Sequence, residues 1–440
     1  MRSGSIARGT CKVVLATVGS LGDLHPFIAV GLALRDAGLD VVLACAPEYR
    51  TKVESAGLAF HPLRPGFEEM QRDLGTDRAE LTRRVMARSD FLFRSLILPY
   101  VRAQYEDMMR ATADADLILT SSLAFGARLA AEKRGIPWMA VVLQPMMFFS
   151  FHDAPVIPKA EWLSTLLRGL GPAATRSALW ILKRAIGTLF GPLRRLRAEI
   201  GLLPAAGDPL FDGQFGEAGA IGLYSRLLGD VQPDYPAPVS IAGFASFDAG
   251  DAPAAGIPAE LRVFLESGPA PLVFTLGSLV VNSPGKFYRQ STDAARSLGR
   301  RAVLLAGGKS GELADLHGPQ VFVCDYAPHS LLFPRAAAII HHGGIGTLAQ
   351  ALRSGKPQLI VPYFADQIDN AARAARLGVA RILPPRRYGA GPAAGALGRL
   401  LGEAGYSSRA EAACASLAGE DGAAGAARIV LDTLGRLRRK

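Results

Sequence analysis

The stretch HHGGIGTLAQALRSGKPQLIVPYFADQIDNAARAARLGVA, beginning at His341, gathers most of the chemistry this chain can offer. An apolar, strand-like run ends in His341, and Gly343, Gly344 and Gly346 let backbone come close to a ligand. Thr347 then opens a helical pattern whose free N–H groups and positive dipole end suit a diphosphate. After the next apolar run, Asp366 and Gln367 follow Tyr363 and Phe364, a carboxylate and an amide that can accept from and donate to sugar hydroxyls. An aspartate in that place also caps helices, so Asp366 has a structural reading beside the binding one.

Competing phosphate motifs fail on spacing. GGIGTL does not put its glycines in the register of GxGxxG, and GGKS at Gly307 lacks the upstream glycine of a P-loop because Val303 stands there. The adjacent His341 and His342 make a poor metal pair, since no further His or Cys lies at ligand spacing, and no metal site is expected.

The elements that must position these residues follow the crossover pattern of parallel sheets. Residues 13–18 read as a buried strand, Gly19 to His25 as a glycine-rich turn, and Pro26 as the start of a helix running to Gly38, followed by a strand over 40–46. The pattern recurs as strand 117–120, helix 123–134 and strand 138–143. An insert over 155–201 mixes Trp162, Leu166, Trp180 and Ile181 with basic residues. It reads as amphipathic helices packed on the domain, as an acceptor-pocket wall, or as a membrane-touching surface. Residues 247–258, FDAGDAPAAGIP, read as a linker. A second series follows with strands 272–276, 302–306, 321–324, 337–341 and 359–361 and helices 286–298 and 346–353. The expected architecture is α/β, with two doubly wound Rossmann-like parallel-sheet domains facing a cleft. Residues 1–246 would form an N-terminal acceptor-binding domain and 259–440 a C-terminal donor-binding domain whose last helix packs back on the first.

Composition agrees with two packed domains, because 440 residues exceed what one core of roughly 250 to 300 supports. Apolar residues make up 49% and charged residues 20%, the range of globular proteins rather than disordered or spanning ones. The net charge of +10 favours anionic partners, but no aromatic-interleaved basic stripe of the nucleic-acid-binding kind is present. Cys11, Cys45, Cys324 and Cys414 are dispersed, which indicates neither a disulfide framework nor a zinc knuckle and fits a reducing cytoplasm. The apolar run after Arg2, Arg8 and Lys12 is too short for a signal peptide, and no stretch is long enough to span a bilayer. The basic surface is compatible with peripheral membrane association.

The ordered set GSLGDLHPF at Gly19, FTLGS at Phe274, YAPH at Tyr326, HHGGIGT at His341 and DQIDNA at Asp366 resembles the GT-B glycosyltransferases. That large family includes plant secondary-product and sterol glucosyltransferases and bacterial rhamnosyltransferases, and the resemblance covers nearly the whole chain. It implies an inverting, metal-independent transfer of a hexose, of glucose or rhamnose type, from a UDP- or dTDP-sugar co-substrate to a hydroxyl of a small apolar acceptor, lipid or natural product. No cofactor is implied. His341 and the backbone of Gly343, Gly344, Gly346 and Thr347 would hold the diphosphate with Gly277 and Ser278, while Tyr326 would stack on the base beside Ala327 and His329. Asp366 and Gln367 would grip the sugar, and Gly22 would also face the donor. Asp23 falls where bacterial relatives have a catalytic aspartate and plant relatives a histidine, so it is the implied base; His25, with an ordinary pKa near 6.5, is the second choice. Two features depart from the plant pattern. Tyr326 and GGIGT replace a tryptophan and GWNST, which leaves the base preference open. Ser121 and Ser122 stand where plant members carry the aspartate that orients their histidine, which favours a carboxylate acting directly. Two rival activities are a nucleotide-sugar epimerase or hydrolase of the same architecture and a noncatalytic nucleotide-sugar-binding auxiliary protein.

Overall fold

A computed structural model describes residues 10–157, 160–205, 207–236, 238–247 and 256–439. Strands β1 (Lys12–Ala16), β2 (Asp40–Cys45), β3 (Ala59–Pro62), β4 (Leu117–Ser121), β5 (Trp138–Val142), β6 (Ala220–Gly222) and β7 (Val239–Ile241) form one sheet in the order β3-β2-β1-β4-β5-β6-β7. Strands β8 (Leu272–Thr275), β9 (Ala302–Leu305), β10 (Val321–Cys324), β11 (Ala338–His341), β12 (Gln358–Ile360) and β13 (Ala380–Ile382) form a second in the order β10-β9-β8-β11-β12-β13. All pairings are parallel. Every residue of β4, β8, β9, β11 and β12 is buried, which is why these strands read as unbroken apolar runs rather than alternating ones.

The strand orders decide where a ligand can lie. Chain direction across the sheet reverses between β1 and β4 in the first sheet and between β8 and β11 in the second, and a crevice opens beyond the carboxyl ends of such strands. The turns after β1, β8 and β11 carry Gly19 to Asp23, Gly277 to Ser278 and His342 to Gly344. The fold thus places the motif loops at the two switch points.

Helix α1 (Leu21–Asp36) begins five residues before the expected start at Pro26. Ser20 and Asp23 close a capping box there, so residues read as a glycine-rich turn are the helix's first turn. Pro26 sits inside the helix, where it removes the N–H that would bond the Gly22 carbonyl. Helices α2 (Glu161–Leu170) and α3 (Pro172–Gly187) make up most of the expected insert. In the second half, α4 (Ile345–Arg353) follows the glycine cluster, α5 (Asp366–Arg376) follows the next loop, and α6 (Gly422–Leu437) ends the chain.

The last helix crosses to the first sheet. Ala426, Val430 and Leu434 of α6 lie in one buried core with Val13, Leu24 and Phe27. A Cβ at Gly422 would stand 2.3 Å from the Gly243 carbonyl oxygen and one at Gly425 2.8 Å from that of Ala242, so two glycines permit the close approach. The helical segments between residues 67 and 111 and strands β3, β6, β7 and β13 were not legible in the sequence. Residues 248–255, most of the expected linker, lie outside the described residues, as do Arg2, Arg8 and Lys440. Among the described residues, no helix is long and apolar enough to cross a membrane, and all four cysteines are free thiols.

Candidate active site

The wall from the first sheet is built around Asp23. Its Oδ2 accepts the Ser20 N–H at 2.8 Å and the Ser20 hydroxyl at 3.2 Å, while Ser20 Oγ accepts the Gly22 N–H at 3.3 Å. Gly19 has φ +145°, and a Cβ there would lie 2.2 Å from Asp23 Oδ2, so only glycine lets the carboxylate fold back over the turn. Oδ2 thus closes the helix start, and Oδ1 is the oxygen left to take a proton. Burial pushes the Asp23 carboxyl up to about 6, with the Ser20 hydrogen bonds pulling the other way.

His25, two residues on, points elsewhere, because helix positions i and i+2 do not share a face. Its ring meets Phe247 edge-on at 5.7 Å and is close enough to His329 to depress that side chain's basicity. Ser121 stands at the end of β4 and accepts the Val18 N–H at 3.3 Å, so it steadies the loop before α1 and supplies no charge.

The opposite wall hangs from β11. His341 is fully buried; its Nδ1 accepts the Gly343 N–H at 3.1 Å, so Nε2 carries the proton and donates to Gln358 Oε1 at 2.9 Å. Burial lowers its pKa to about 4, which keeps the ring neutral. Both nitrogens are therefore used inside the protein, and His341 acts on a ligand through the Gly343 backbone it holds. Gly343 has φ +90° and its carbonyl accepts from Asn370 Nδ2 at 3.0 Å. Gly344 caps α4 without a side-chain partner, which leaves the N–H groups of Ile345, Gly346 and Thr347 at an uncapped helix N-terminus.

His342 is the residue sequence reasoning passed over. It is buried, its Nδ1 has no hydrogen-bond partner, and burial holds its pKa down to about 3. Its ring fills the gap between two loops: a Cβ at Gly277 would lie 2.3 Å from its Cε1, and one at Gly344 2.4 Å from its Nε2. Gly277, with φ +65°, sits directly after β8 beside half-buried Ser278. Only the pairing of β8 with β11 reveals this meeting, since 65 residues separate Gly277 from His342.

Asp366 enters from a strained turn, where Ala365 holds φ 52° and ψ −131°. Asn370 Nδ2 donates to Asp366 Oδ2 at 2.8 Å. Burial first, and then the negative charge of Asp23, push the Asp366 carboxyl up to about 7, so the two carboxylates feel each other across the cleft. Gln367 accepts the Tyr363 N–H at 2.9 Å through Oε1, which leaves its amide NH2 as the group it can offer a ligand. His329 stacks on Phe333 at 4.3 Å, with burial lowering its pKa to about 4, and Ala327 is fully buried in the core that includes Phe333. Tyr326 is half exposed and stands at the rim.

A buried clamp joins the walls behind Asp366. Arg373 of α5 pairs with Asp369 one turn earlier and with Asp153, and donates to the Leu228 carbonyl at 2.7 Å. Asp369 in turn accepts the Val156 N–H at 2.8 Å. Among the described residues no group of three or more His, Cys, Asp or Glu side chains is placed to hold a metal ion.

Known proteins match this geometry over nearly the whole chain. Residues 13–148 match the glycosyltransferase family 28 N-terminal domain, and residues 301–430 match the erythromycin biosynthesis protein CIII-like C-terminal domain. The vancomycin aglycone glucosyltransferase of Amycolatopsis orientalis is 30% identical over 97% of this chain and 98% of its own. A sterol 3-beta-glucosyltransferase of Arabidopsis thaliana is 28% identical over 95% of this chain and 64% of its own. Among solved structures, the spinosyn forosaminyltransferase SpnP superposes with a TM-score of 0.68 at 18% identity, covering 98% of this chain and 100% of that one. The glycosyltransferase VinC in complex with dTDP gives 0.65 at 19% identity, covering 97% and 100%.

Proposed function

The chain belongs to the GT-B glycosyltransferases, and on that premise we propose that it is an inverting enzyme moving a hexose from a UDP- or dTDP-sugar to a hydroxyl of a small apolar acceptor. The observation that carries this reading is the pair Asp23 and Asp366, one from each sheet, both with carboxyl pKa values raised by burial and the charge of Asp23 adding to the rise at Asp366. In the proposed reaction the acceptor oxygen attacks the anomeric carbon from the face opposite the diphosphate, and its proton passes to Asp23 Oδ1. The bond from the anomeric carbon to the diphosphate oxygen breaks with its electron pair staying on the diphosphate. A base pKa near 6 suits this transfer at neutral pH, being low enough to be ionised and high enough to hold the proton in the transition state.

The uncapped N-terminus of α4 would stabilise the leaving diphosphate through backbone N–H groups already in place, which requires no resident metal. Asp366 and the Gln367 amide would fix the sugar hydroxyls, and the half-exposed Tyr326 would receive the base. Three solved neighbours hold dTDP or thymidine diphosphate, which supports a pyrimidine diphosphate donor. Relatives named for an antibiotic aglycone and for sterols support an apolar acceptor. A cytoplasmic location accords with a nucleotide-sugar donor.

Thermal-shift titration with UDP, dTDP, GDP, ADP and NAD tests the donor site. Selective stabilisation by UDP or dTDP, about 2.7 kcal/mol at 100 times the dissociation constant, is the expected result, and stabilisation only by NAD or ADP would refute it. Incubation of the matching nucleotide sugar with and without an aglycone then separates the readings. A product of anomeric configuration opposite to the donor's, by NMR, supports inverting transfer. Free sugar or an epimerised donor without acceptor would support the hydrolase or epimerase, and donor binding with no sugar release would support the auxiliary protein.

A further inference from the structure

We infer that the helix pair α2–α3 is an anionic-membrane docking surface that sets the cleft against a lipid bilayer. Helix α2 buries Ser164 and Leu167, yet carries a second apolar stripe outward at four-residue spacing: Trp162 is 70% exposed, Leu166 49% and Leu170 62%. Helix α3 packs against it and adds Trp180 and Ile181, each 63% exposed. Five of the twelve exposed large hydrophobic side chains among the described residues thus fall within twenty positions. Scattered exposed apolar residues are ordinary, but a concentration of this kind marks an interaction surface.

Charge names the occupant. Arg168, Arg176, Arg184 and Arg195 are exposed in and beside the pair, and among the described residues none forms an ion pair with a carboxylate. Arg184 lies 5.8 Å over the Trp180 ring, which places a cation beside an interfacial aromatic. Exposed Trp and Leu bordered by unpaired Arg is the pattern of elements that lie in the headgroup layer of an anionic bilayer. A second copy of the chain fits poorly, because two such faces would set arginine against arginine. The pair is also rooted at the cleft. Ser164 accepts the Ile157 N–H at 2.9 Å, and the segment before it carries Val156 and Asp153, tied to Asp369 and Arg373 of α5, three and seven residues beyond Asp366. A bilayer seated on α2–α3 therefore lies beside the place where an apolar acceptor must enter.

The test uses the full chain, with no donor or acceptor, so its outcome is independent of whether transfer occurs. Flotation is measured with vesicles of phosphatidylcholine alone and of phosphatidylcholine mixed with phosphatidylglycerol, together with tryptophan emission. The wild type is expected to float with the anionic vesicles only, to lose this as salt is raised, and to show a blue shift from Trp162 and Trp180. Trp162→Glu/Leu166→Glu/Trp180→Glu should lower partitioning by about tenfold or more while keeping the wild-type thermal transition, since all three side chains are exposed. Trp180→Ala serves as the milder variant if the triple change folds poorly. Absence of flotation, flotation unchanged in a folded variant, a wild-type dimer that the triple variant dissolves, or capture of an acidic protein in place of vesicles would each overturn the proposal.

Discussion

Replacing Asp23 by Asn separates the two things this side chain does. As the third residue of α1, Asp23 accepts the Ser20 N–H, and an amide oxygen can accept the same bond, so the capping box survives. What disappears is the partly buried charge. Its pKa rise from 3.8 to about 6 would equal about 3 kcal/mol of penalty on the ionised form if solvent were excluded, and about 1 to 2 kcal/mol with the screening its partial exposure allows. Because the folded-state pKa is the higher one, this penalty is absent below about 4, grows as pH rises to about 6 and is constant above. Asp23→Asn should therefore unfold no earlier than wild type at pH 8 and a few degrees later in the favourable case, whereas Asp23→Ala should lose about 1 kcal/mol with the cap. Turnover should behave oppositely. Loss of a positioned general base lowers kcat by roughly 10² to 10⁴, with the dissociation constant of the donor nucleotide nearly unchanged. In the wild type kcat/KM should rise with pH on an acid limb between about 6 and 7, the span of the coupled Asp23 and Asp366 carboxyls, and the Asn variant should lose the lower step. Product formation followed by chromatography, with nucleotide affinity by calorimetry, makes the measurement. An Asn variant retaining kcat within a few-fold would reduce Asp23 to a helix cap and refute the assignment.

Three further substitutions test other parts of the site. Gly277→Ala drives a Cβ to 2.3 Å from the His342 ring at φ +65°, so donor KM should rise about tenfold with a cost of about 1 to 2 kcal/mol in the melt; an unchanged KM would remove this loop from the donor site. Ala365→Gly relieves the φ of 52° and should raise stability by about 1 kcal/mol, while a looser Asp366 lowers kcat/KM; a lower melting temperature would show that the turn is not strained. Arg373→Met leaves Asp369 buried without its cation and should cost about 3 to 5 kcal/mol, read by denaturant unfolding; a loss under 1 kcal/mol would mean the clamp between the walls contributes little.

What the sequence disclosed follows from how local its causes are. β10 is legible residue for residue because it is a short apolar run bounded by polar Gln320 and Asp325, and the glycine cluster before α4 stands out by composition. α1 starts earlier than the sequence suggests because Pro26 reads as an opening signal, while Ser20 and Asp23, a capping box with Asp in place of the usual Glu, begin the helix five residues sooner. Strands β6 and β7, three residues each, carry too little pattern to find. At the site, residue types pointed to Asp23, Asp366 and the His341 loop, but a role that exists only across the sheet stayed hidden. His342 gains its meaning from two glycines on neighbouring loops, and the inward engagement of both His341 nitrogens depends on Gln358 in the next strand.

The segment DQIDNAAR puts the proposed sugar-binding carboxylate and a contact between the walls on one element. Along α5, Asp366 and Asn370 are four residues apart and hydrogen-bond on one face, while Asp369 and Arg373, also four apart, pair on the next. The first pair holds the carboxylate proposed to meet the sugar and, through Asn370, the Gly343 carbonyl beside the N-terminus of α4. The second reaches across to Asp153, Val156 and Leu228 of the other wall. A helical turn is stiff compared with the loops it joins, so any shift of the first wall relative to the second must move Asp366 and Gly343 together. A buried ionic contact, beside the shared apolar core, thus ties the wall that carries Asp366 to the wall that carries Asp23. In the proposed reaction that tie bears on how well an acceptor hydroxyl at Asp23 would line up with a sugar held at Asp366.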